Sequence, residues 1–309
     1  MKHADPMPPN RAHIDTEKRN PRTRDLHTRS TAELVEIITA EDRDVVAAVK
    51  RAGPRLTKFI EAAEPGFLAG GRLIYLGAGT SGRLGVLDAS EAPPTFQVPP
   101  TRVVGIIAGG DGALRKSSEG AEDDAAGAHE ALKALNLTSN DTVIGIAAGG
   151  TTPYVLGAMD FCKSAHTKAP PLTALVTCSS VDKPDSVDHL LTLKTGPEVI
   201  TGSTRMKAGS ATKMALNIIS TTLMIRLGKV YDNLMVDVKA TNAKLRDRAA
   251  RIVQQLTSLT REDAFALLDR CDGEVKTAVV AHRKEVDSSR ARELLASVDG
   301  RIDRVLQSE

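Results

Sequence analysis

Residues 72–85 read RLIYLGAGTSGRLG. The apolar run Leu73 to Leu76 meets a turn with glycines at 77, 79 and 82, followed by a segment able to start a helix. A strand feeding a glycine-rich turn into a helix is the building unit of open α/β sheets. The spacing fits G-x-G-x-x-G, the dinucleotide fingerprint. The same turn also carries two hydroxyls, Thr80 and Ser81, at a helix N-terminus whose backbone N–H groups favour an anion. From these residues alone two readings stay open. The hydroxyls and backbone hold a phosphate monoester, or the hydroxyls merely cap the helix. Gly79, Thr80, Ser81 and Gly82 are therefore candidate phosphate-binding residues. The dinucleotide reading lacks its usual companion, an acid ending the second strand to hold ribose hydroxyls. That strand ends Ala108-Gly109-Gly110, with Asp111 the nearest acid.

Outward from this turn, four more short apolar runs follow: RVVGIIAGG (102–110), TVIGIAAGG (142–150), LTALVT (172–177) and HLLTLKTG (189–196). The runs at 72–77, 102–110, 142–150 and 172–177 are nearly continuous in aliphatic residues, as strands covered on both faces require. Helix-like segments lie between several of them, at 83–89, 118–135 and 154–164. The alternation predicts a parallel α/β sheet. Three strands end in glycine-rich turns, and in such sheets ligands bind at the carboxyl ends of strands.

Before the sheet, residues 31–63 have helical periodicity, with Ser30 or Thr31 and Glu33 or Glu36 placed to start it. Beyond the sheet, Ser203 or Thr204 can cap a helix running to about Leu227, apolar over most of its circumference. Another helix is expected from about Val238 to Leu256. From Thr260 the pattern changes to three short amphipathic helices. The polar, Pro-rich residues 1–25 read as flexible. The expected organisation is a flexible N-terminus (1–25), an α/β domain with N-terminal helices (26–257) and a small helical domain (258–309).

Composition narrows the function. Of 309 residues, 41% are hydrophobic and 26% charged, ordinary for a globular protein, and the net charge of +2 gives no electrostatic case for nucleic acid. No apolar run is long enough to span a bilayer and no signal core opens the chain, so a cytoplasmic protein is expected. Three cysteines, Cys162, Cys178 and Cys271, lack metal-ligand spacing and read as reduced thiols. The seven histidines show no paired spacing for a metal.

Ser203, Thr204 and Lys207 repeat the hydroxyl-rich helix start of the first turn, although Lys207 taken by itself reads rather as a solvated helix-face lysine. Among acids, Glu91 sits in Asp88-Ala89-Ser90-Glu91-Ala92-Pro93-Pro94, where the proline pair is expected to stop a helix and hold the carboxylate at its end. Glu119 and Glu122 lie in SSEGAEDD, after the second glycine turn. Chemistry without a metal is most economically done by a carboxylate pair.

The segments GRLIYLGAGTSGRLGVLDASEAPPTF, EGAED, TGSTRMKAGSATKMALNIIST and NLMVDVKATNAKLRDRA together closely resemble the N-acetylmuramic acid 6-phosphate etherases, sugar-phosphate lyases of the sugar isomerase (SIS) fold. The likeness runs from about Thr16 to the end. It implies a three-layer αβα domain with a five-stranded parallel sheet, followed by a small three-helix, ubiquitin-associated-like domain. It implies a homodimer acting without a cofactor on a small sugar phosphate. The reaction it implies is cleavage of the D-lactyl ether to N-acetylglucosamine 6-phosphate and D-lactate, in peptidoglycan recycling. By motif, the two acids fall on Glu91 and Glu122, assigned as acid and base respectively. The family usually carries AASGRTPYV after the third strand. Here Ala147-Ala148-Gly149-Gly150-Thr151-Thr152-Pro153 stands, with Gly149 for a serine and Thr151 for an arginine. Gly149, Thr151 and Thr152 are thus candidate phosphate contacts, with one hydroxyl missing. A sugar-phosphate isomerase and a non-catalytic sugar-phosphate sensor on the same fold are the alternatives.

Overall fold

The computed structural model describes residues 10–116, 118–165, 169–238 and 242–307; the first nine residues of the expected flexible N-terminus lie outside them, as does the side chain of Glu119. Contacts divide the chain into two compact units. One comprises Met1–Asp88 with Val103–Ile219, the other Ala89–Arg102 with Ser220–Glu309.

The first unit holds a five-stranded parallel sheet in the order β2-β1-β3-β4-β5. Its strands are β1 (Leu73–Gly77), β2 (Val103–Ile107), β3 (Thr142–Ile146), β4 (Leu172–Thr177) and β5 (His189–Thr192). All five are the apolar runs legible in the sequence. Every residue of central β1 and β3 is buried, whereas the edge strands β2 and β5 are half covered. That gradient is what continuous aliphatic runs between two helical layers require.

The helical layers follow from residue parity. Helix α1 (Thr31–Leu68) is one continuous helix, started by a Ser30–Glu33 capping box. Helix α2 (Gly79–Phe96) lies over the face carrying Tyr75 and Ile146, and the Tyr75 hydroxyl donates to Asp88 at 2.8 Å. The opposite face buries Ile74, Leu76 and Val143 with Tyr154, Val155 and Met159 of α4 (Pro153–Ser164). Between β2 and β3, where a helix over 118–135 was expected, the chain makes a 3-10 turn at Glu119–Glu122 and only the short α3 (His129–Ala134). At the amino ends of the strands, Arg72 Nη2 pairs with the buried Asp141 at 2.8 Å, and Asp141 also accepts the N–H groups of Arg72 and Thr138.

The expected flexibility up to residue 25 does not describe residues 14–23. Ile14, Thr16, Asn20 and Thr23 are buried, and two 3-10 turns, Asp15–Glu17 and Pro21–Thr23, shape the segment. Polar side chains here are satisfied by distant backbone, so the composition misleads.

Helix α5 (Lys207–Arg226) leads from the first unit into the second. There a two-stranded hairpin, β6 (Val230–Tyr231) and β7 (Leu234–Met235), precedes α6 (Ala243–Thr257). Among the described residues four helices follow rather than three: α7 (Arg261–Arg270), α8 (Val275–Arg283), α9 (Ser288–Ala296) and α10 (Ile302–Gln307). Ala250, Val253, Leu268, Val279, Leu295 and Val305 share one apolar core. Among the described residues no helix is long and apolar enough to cross a membrane.

Candidate active site

The order of the sheet reverses between β1 and β3, so the turns leaving these two strands flank its switch point, where ligands of open α/β sheets bind. Each of the fingerprint glycines after β1 has a local cause. A Cβ on Gly77 would stand 2.8 Å from the Gly82 nitrogen, and one on Gly82 would stand 2.5 Å from the Gly77 oxygen. The two residues touch backbone to backbone, closing strand onto helix. Gly79 has open space around it but adopts φ +53°, the left-handed region. The turn thus uses its glycines on its own geometry, and a dinucleotide is not needed to explain them.

Helix α2 begins at Gly79, so its first N–H groups lack intrahelical acceptors and point out of the carboxyl end of the sheet. Thr80 and Ser81 are half-buried and their hydroxyls bond to no described residue. They do not cap the helix. An anion placed there would meet free N–H donors, two hydroxyls and the positive end of the helix dipole.

After β3, Gly150 takes φ +77°, and a Cβ there would stand 2.8 Å from Val181 Cγ1 and 3.1 Å from Thr177 Oγ1. Thr152 precedes Pro153 at the start of α4 and makes no side-chain cap. Its hydroxyl and that of Thr151 are likewise unbonded among the described residues. Gly149 lies beneath Ile14, and a Cβ there would meet Ile14 Cγ2 at 3.5 Å, an ordinary contact. Nothing steric therefore demands glycine at the position where a serine was expected.

Ser203 and Thr204 form the turn before α5, and their hydroxyls are free in the same sense. The Thr204 carbonyl accepts the Gly209 N–H at 2.8 Å, and Gly209 approaches Thr80 Cγ2. The 203–209 turn and the α2 turn are thereby neighbours. Here two expectations are corrected. Neither Ser203 nor Thr204 caps α5. The buried Glu198 carboxylate does, accepting the N–H groups of Lys207 and Ala208 at 2.9 Å each. Burial pushes the Glu198 carboxyl up, against the pull of these two N–H donors and the Lys207 charge. Lys207, expected at the phosphate, is fully buried. Its ammonium donates to Glu41 Oε2 at 2.7 Å, Pro197 O at 3.1 Å and Asp44 Oδ2 at 3.4 Å. Its three protons are engaged, leaving none for a ligand. Burial alone would push the Glu41 carboxyl up, but bonds from Arg22, Lys207 and Asn20 outweigh it and hold it at about 2.

The acids sit on different elements. Glu91 is exposed in α2, which continues through Pro93 and Pro94 to Phe96. The proline pair does not stop the helix just after the carboxylate. The two prolines only withhold N–H groups from the carbonyls of Ala89 and Ser90, and the helix closes where Gln97 turns left-handed at φ +51°. Glu91 belongs to the second unit. Glu122 is exposed at the end of the Glu119–Glu122 turn, which packs against α4 in the first unit. Neither carboxylate has a hydrogen bond or ion pair among the described residues. Both carboxylates are thus open to a bound molecule. No group of three or more metal-ligating side chains occurs among the described residues.

Residues 55–163 match the glucokinase regulatory protein N-terminal SIS domain. Over its length the chain is 47% identical to N-acetylmuramic acid 6-phosphate etherase 1 of Bacillus licheniformis, covering 95% of both chains. The etherase of a Picosynechococcus species is 48% identical, over 96% of this chain and 98% of that one. The Serratia proteamaculans etherase is 49% identical, over 92% and 95%.

Proposed function

The chain belongs to the N-acetylmuramic acid 6-phosphate etherase family, and from that premise we propose how its residues divide the reaction. The enzyme is a carbon–oxygen lyase that cleaves the D-lactyl ether, releasing D-lactate and N-acetylglucosamine 6-phosphate. The observation that carries the site assignment is the set of unbonded hydroxyls at the carboxyl end of the sheet. Thr80 and Ser81, Thr151 and Thr152, and Ser203 and Thr204, all without hydroxyl partners among the described residues, lie on three turns; the first pair sits at the open N-terminus of α2, and the turn of the last pair neighbours it through Gly209. A phosphate monoester has three terminal oxygens and takes donors of this kind. Each hydrogen bond to a charged oxygen contributes about 1.5–3 kcal/mol. Gly79 and Gly82 shape the turn, and Gly149 leaves one donor fewer. Lys207 acts from beneath, through the turn it anchors.

Ring opening frees the aldehyde at carbon 1, which acidifies the hydrogen on carbon 2. Glu122 removes that proton. The lactyl oxygen on carbon 3 is a poor leaving group and departs with a proton from Glu91. Water then adds to the unsaturated aldehyde at carbon 3. The elimination needs one group that takes a proton and one that gives it, and the two carboxyls divide these roles.

The working unit is a homodimer in the cytoplasm. Large apolar side chains left exposed on helices, Val35 and Val46 of α1 and Leu87 of α2, support a partner surface. The reaction belongs to peptidoglycan recycling. The test is incubation with N-acetylmuramic acid 6-phosphate and assay for D-lactate. Glu91→Gln and Glu122→Gln are each expected to lower kcat by about 10²–10⁴-fold. A folded wild type that releases no lactate would sink the reaction, and full activity in either variant would remove that residue from it.

A further inference from the structure

A second set of groups, none of them facing a ligand, converges on the turn that carries Ser203 and Thr204. Four anchor points hold it. Pro197 O accepts from both Lys207 Nζ at 3.1 Å and Asn20 Nδ2 at 3.5 Å. Glu198 caps α5. Val199 O accepts the Thr23 hydroxyl at 2.8 Å. Gly202 N–H donates to Thr16 O at 3.1 Å. Three of these partners, Thr16, Asn20 and Thr23, come from one short N-terminal stretch. Asn20 Nδ2 also donates to Glu41 Oε2 at 2.8 Å, and Arg22 clamps the same carboxylate and Asp44. Glu41 in turn holds the Lys207 ammonium.

The same N-terminal stretch reaches the other ligand-side turns. Thr16 N–H donates to Ser179 Oγ at 3.4 Å, and Ser180 N–H donates to Asp15 at 3.3 Å, both just beyond β4. Ile14 rests on Gly149 beyond β3. A core role would not need so many bonds to loop backbone at one end of the sheet. The Arg72–Asp141 pair does structural work at the opposite end, touching no ligand-side turn.

We propose that residues 14–23, with Glu41 and Lys207, are a positioning device that fixes the Ser203–Thr204 turn against the substrate phosphate, with Asn20 and Thr23 its adjustable members. This deepens the phosphate assignment above and rests on it. Loosening the device displaces donors without removing them, so it weakens ground-state binding of the sugar phosphate more than it slows proton transfer at the distant carbons.

The experiment measures kcat, KM and competitive inhibition by inorganic phosphate for the full-length enzyme. The variants are Asn20→Ala, Thr23→Val, Thr23→Ser, the double Ser203→Ala/Thr204→Val, and Asp141→Asn as a stability control. Asn20→Ala and Thr23→Val should raise KM and the phosphate inhibition constant together, by about five- to fiftyfold, below the loss of about 100-fold that a 1 Å misplacement produces. Turnover should change by less than about threefold, since the reacting groups stay in place. Thr23→Ser keeps the hydroxyl and should restore wild-type KM. Asp141→Asn should lower the melting temperature and leave KM alone. If Ser203→Ala/Thr204→Val leaves KM unchanged, the phosphate assignment fails and the device with it. A raised KM there, alongside unchanged KM in Asn20→Ala and Thr23→Val, overturns the positioning role alone. Should Asn20→Ala not fold, the Thr23 pair decides.

Discussion

Replacing Gly149 by serine tests both the ligand and the side from which it is approached. The backbone at 149 is outside the left-handed region, so a side chain adds no strain there. The new Cβ would stand 3.5 Å and 3.9 Å from Ile14 Cγ2 and Cδ1 and 3.8 Å from Thr151 Oγ1, ordinary contacts that need no rearrangement. Leaving glycine behind reduces the freedom of the unfolded chain, worth about 0.4–1 kcal/mol. At about 2–4 °C per kcal/mol, Tm should rise by about 1–4 °C. The added hydroxyl joins those of Thr151 and Thr152. One bond to a charged phosphate oxygen contributes about 1.5–3 kcal/mol. At 1.4 kcal/mol per tenfold, KM should fall by about tenfold or more, with kcat little changed. Steady-state kinetics on the sugar phosphate and thermal unfolding read the two effects separately. A KM within twofold of wild type at undiminished Tm would refute the claim that this turn faces the phosphate. A fall in Tm would refute the claim that the space is there.

Three further outcomes are expected. Glu41, held at about 2 when folded against an ordinary 4.5, has a depressed pKa. Its stabilisation, about 3 kcal/mol at about 1.36 kcal/mol per unit, is therefore complete above pH 5 and is lost as pH falls from 4.5 toward 2. Thermal scans across pH 3–7 should show Glu41→Gln starting lower and declining less steeply than wild type; parallel curves would refute this. Gly82→Ala places a methyl 2.5 Å from the Gly77 oxygen and 2.6 Å from Ile107 Cγ1. It should cost about 1–3 kcal/mol in chemical denaturation and raise KM by moving the start of α2. Burial pushes the Cys162 and Cys178 thiols up to about 12. Native protein should leave both unlabelled by a maleimide at pH 7, and guanidinium should expose them, as mass spectrometry would read.

The sheet was legible because its signal is local. Five short aliphatic runs between helical segments need no knowledge of distant residues, and all five are strands. The hydroxyl pairs were legible for the same reason, being adjacent in sequence and next to helix starts. What escaped were arrangements made across the chain. Lys207 reads as a surface or ligand lysine until Glu41, 166 residues earlier, is placed beside it. Glu198 is nine residues from the N–H it caps, beyond the reach of capping rules written for neighbours. The proline pair at 93–94 misled because a local breaker rule was outweighed, and α2 runs on to Phe96. The N-terminal stretch misled through composition, since polar residues anchored by loop backbone look like polar residues anchored by nothing.

That N-terminal stretch also sets an order of events during synthesis. Thr16 finds its partners at Ser179 and Gly202, the first of them 163 residues further along. At about 5–20 residues per second, the ribosome needs roughly 8–30 s to supply even the first of them. Closing so long a loop is slow and comes after the nearer strands have paired. Residues 14–23 leave the ribosome before any strand of the sheet, yet they are among the last to settle. The newborn chain can therefore own its sheet and the glycine turns after β1 and β3 while the Ser203–Thr204 turn is still unanchored.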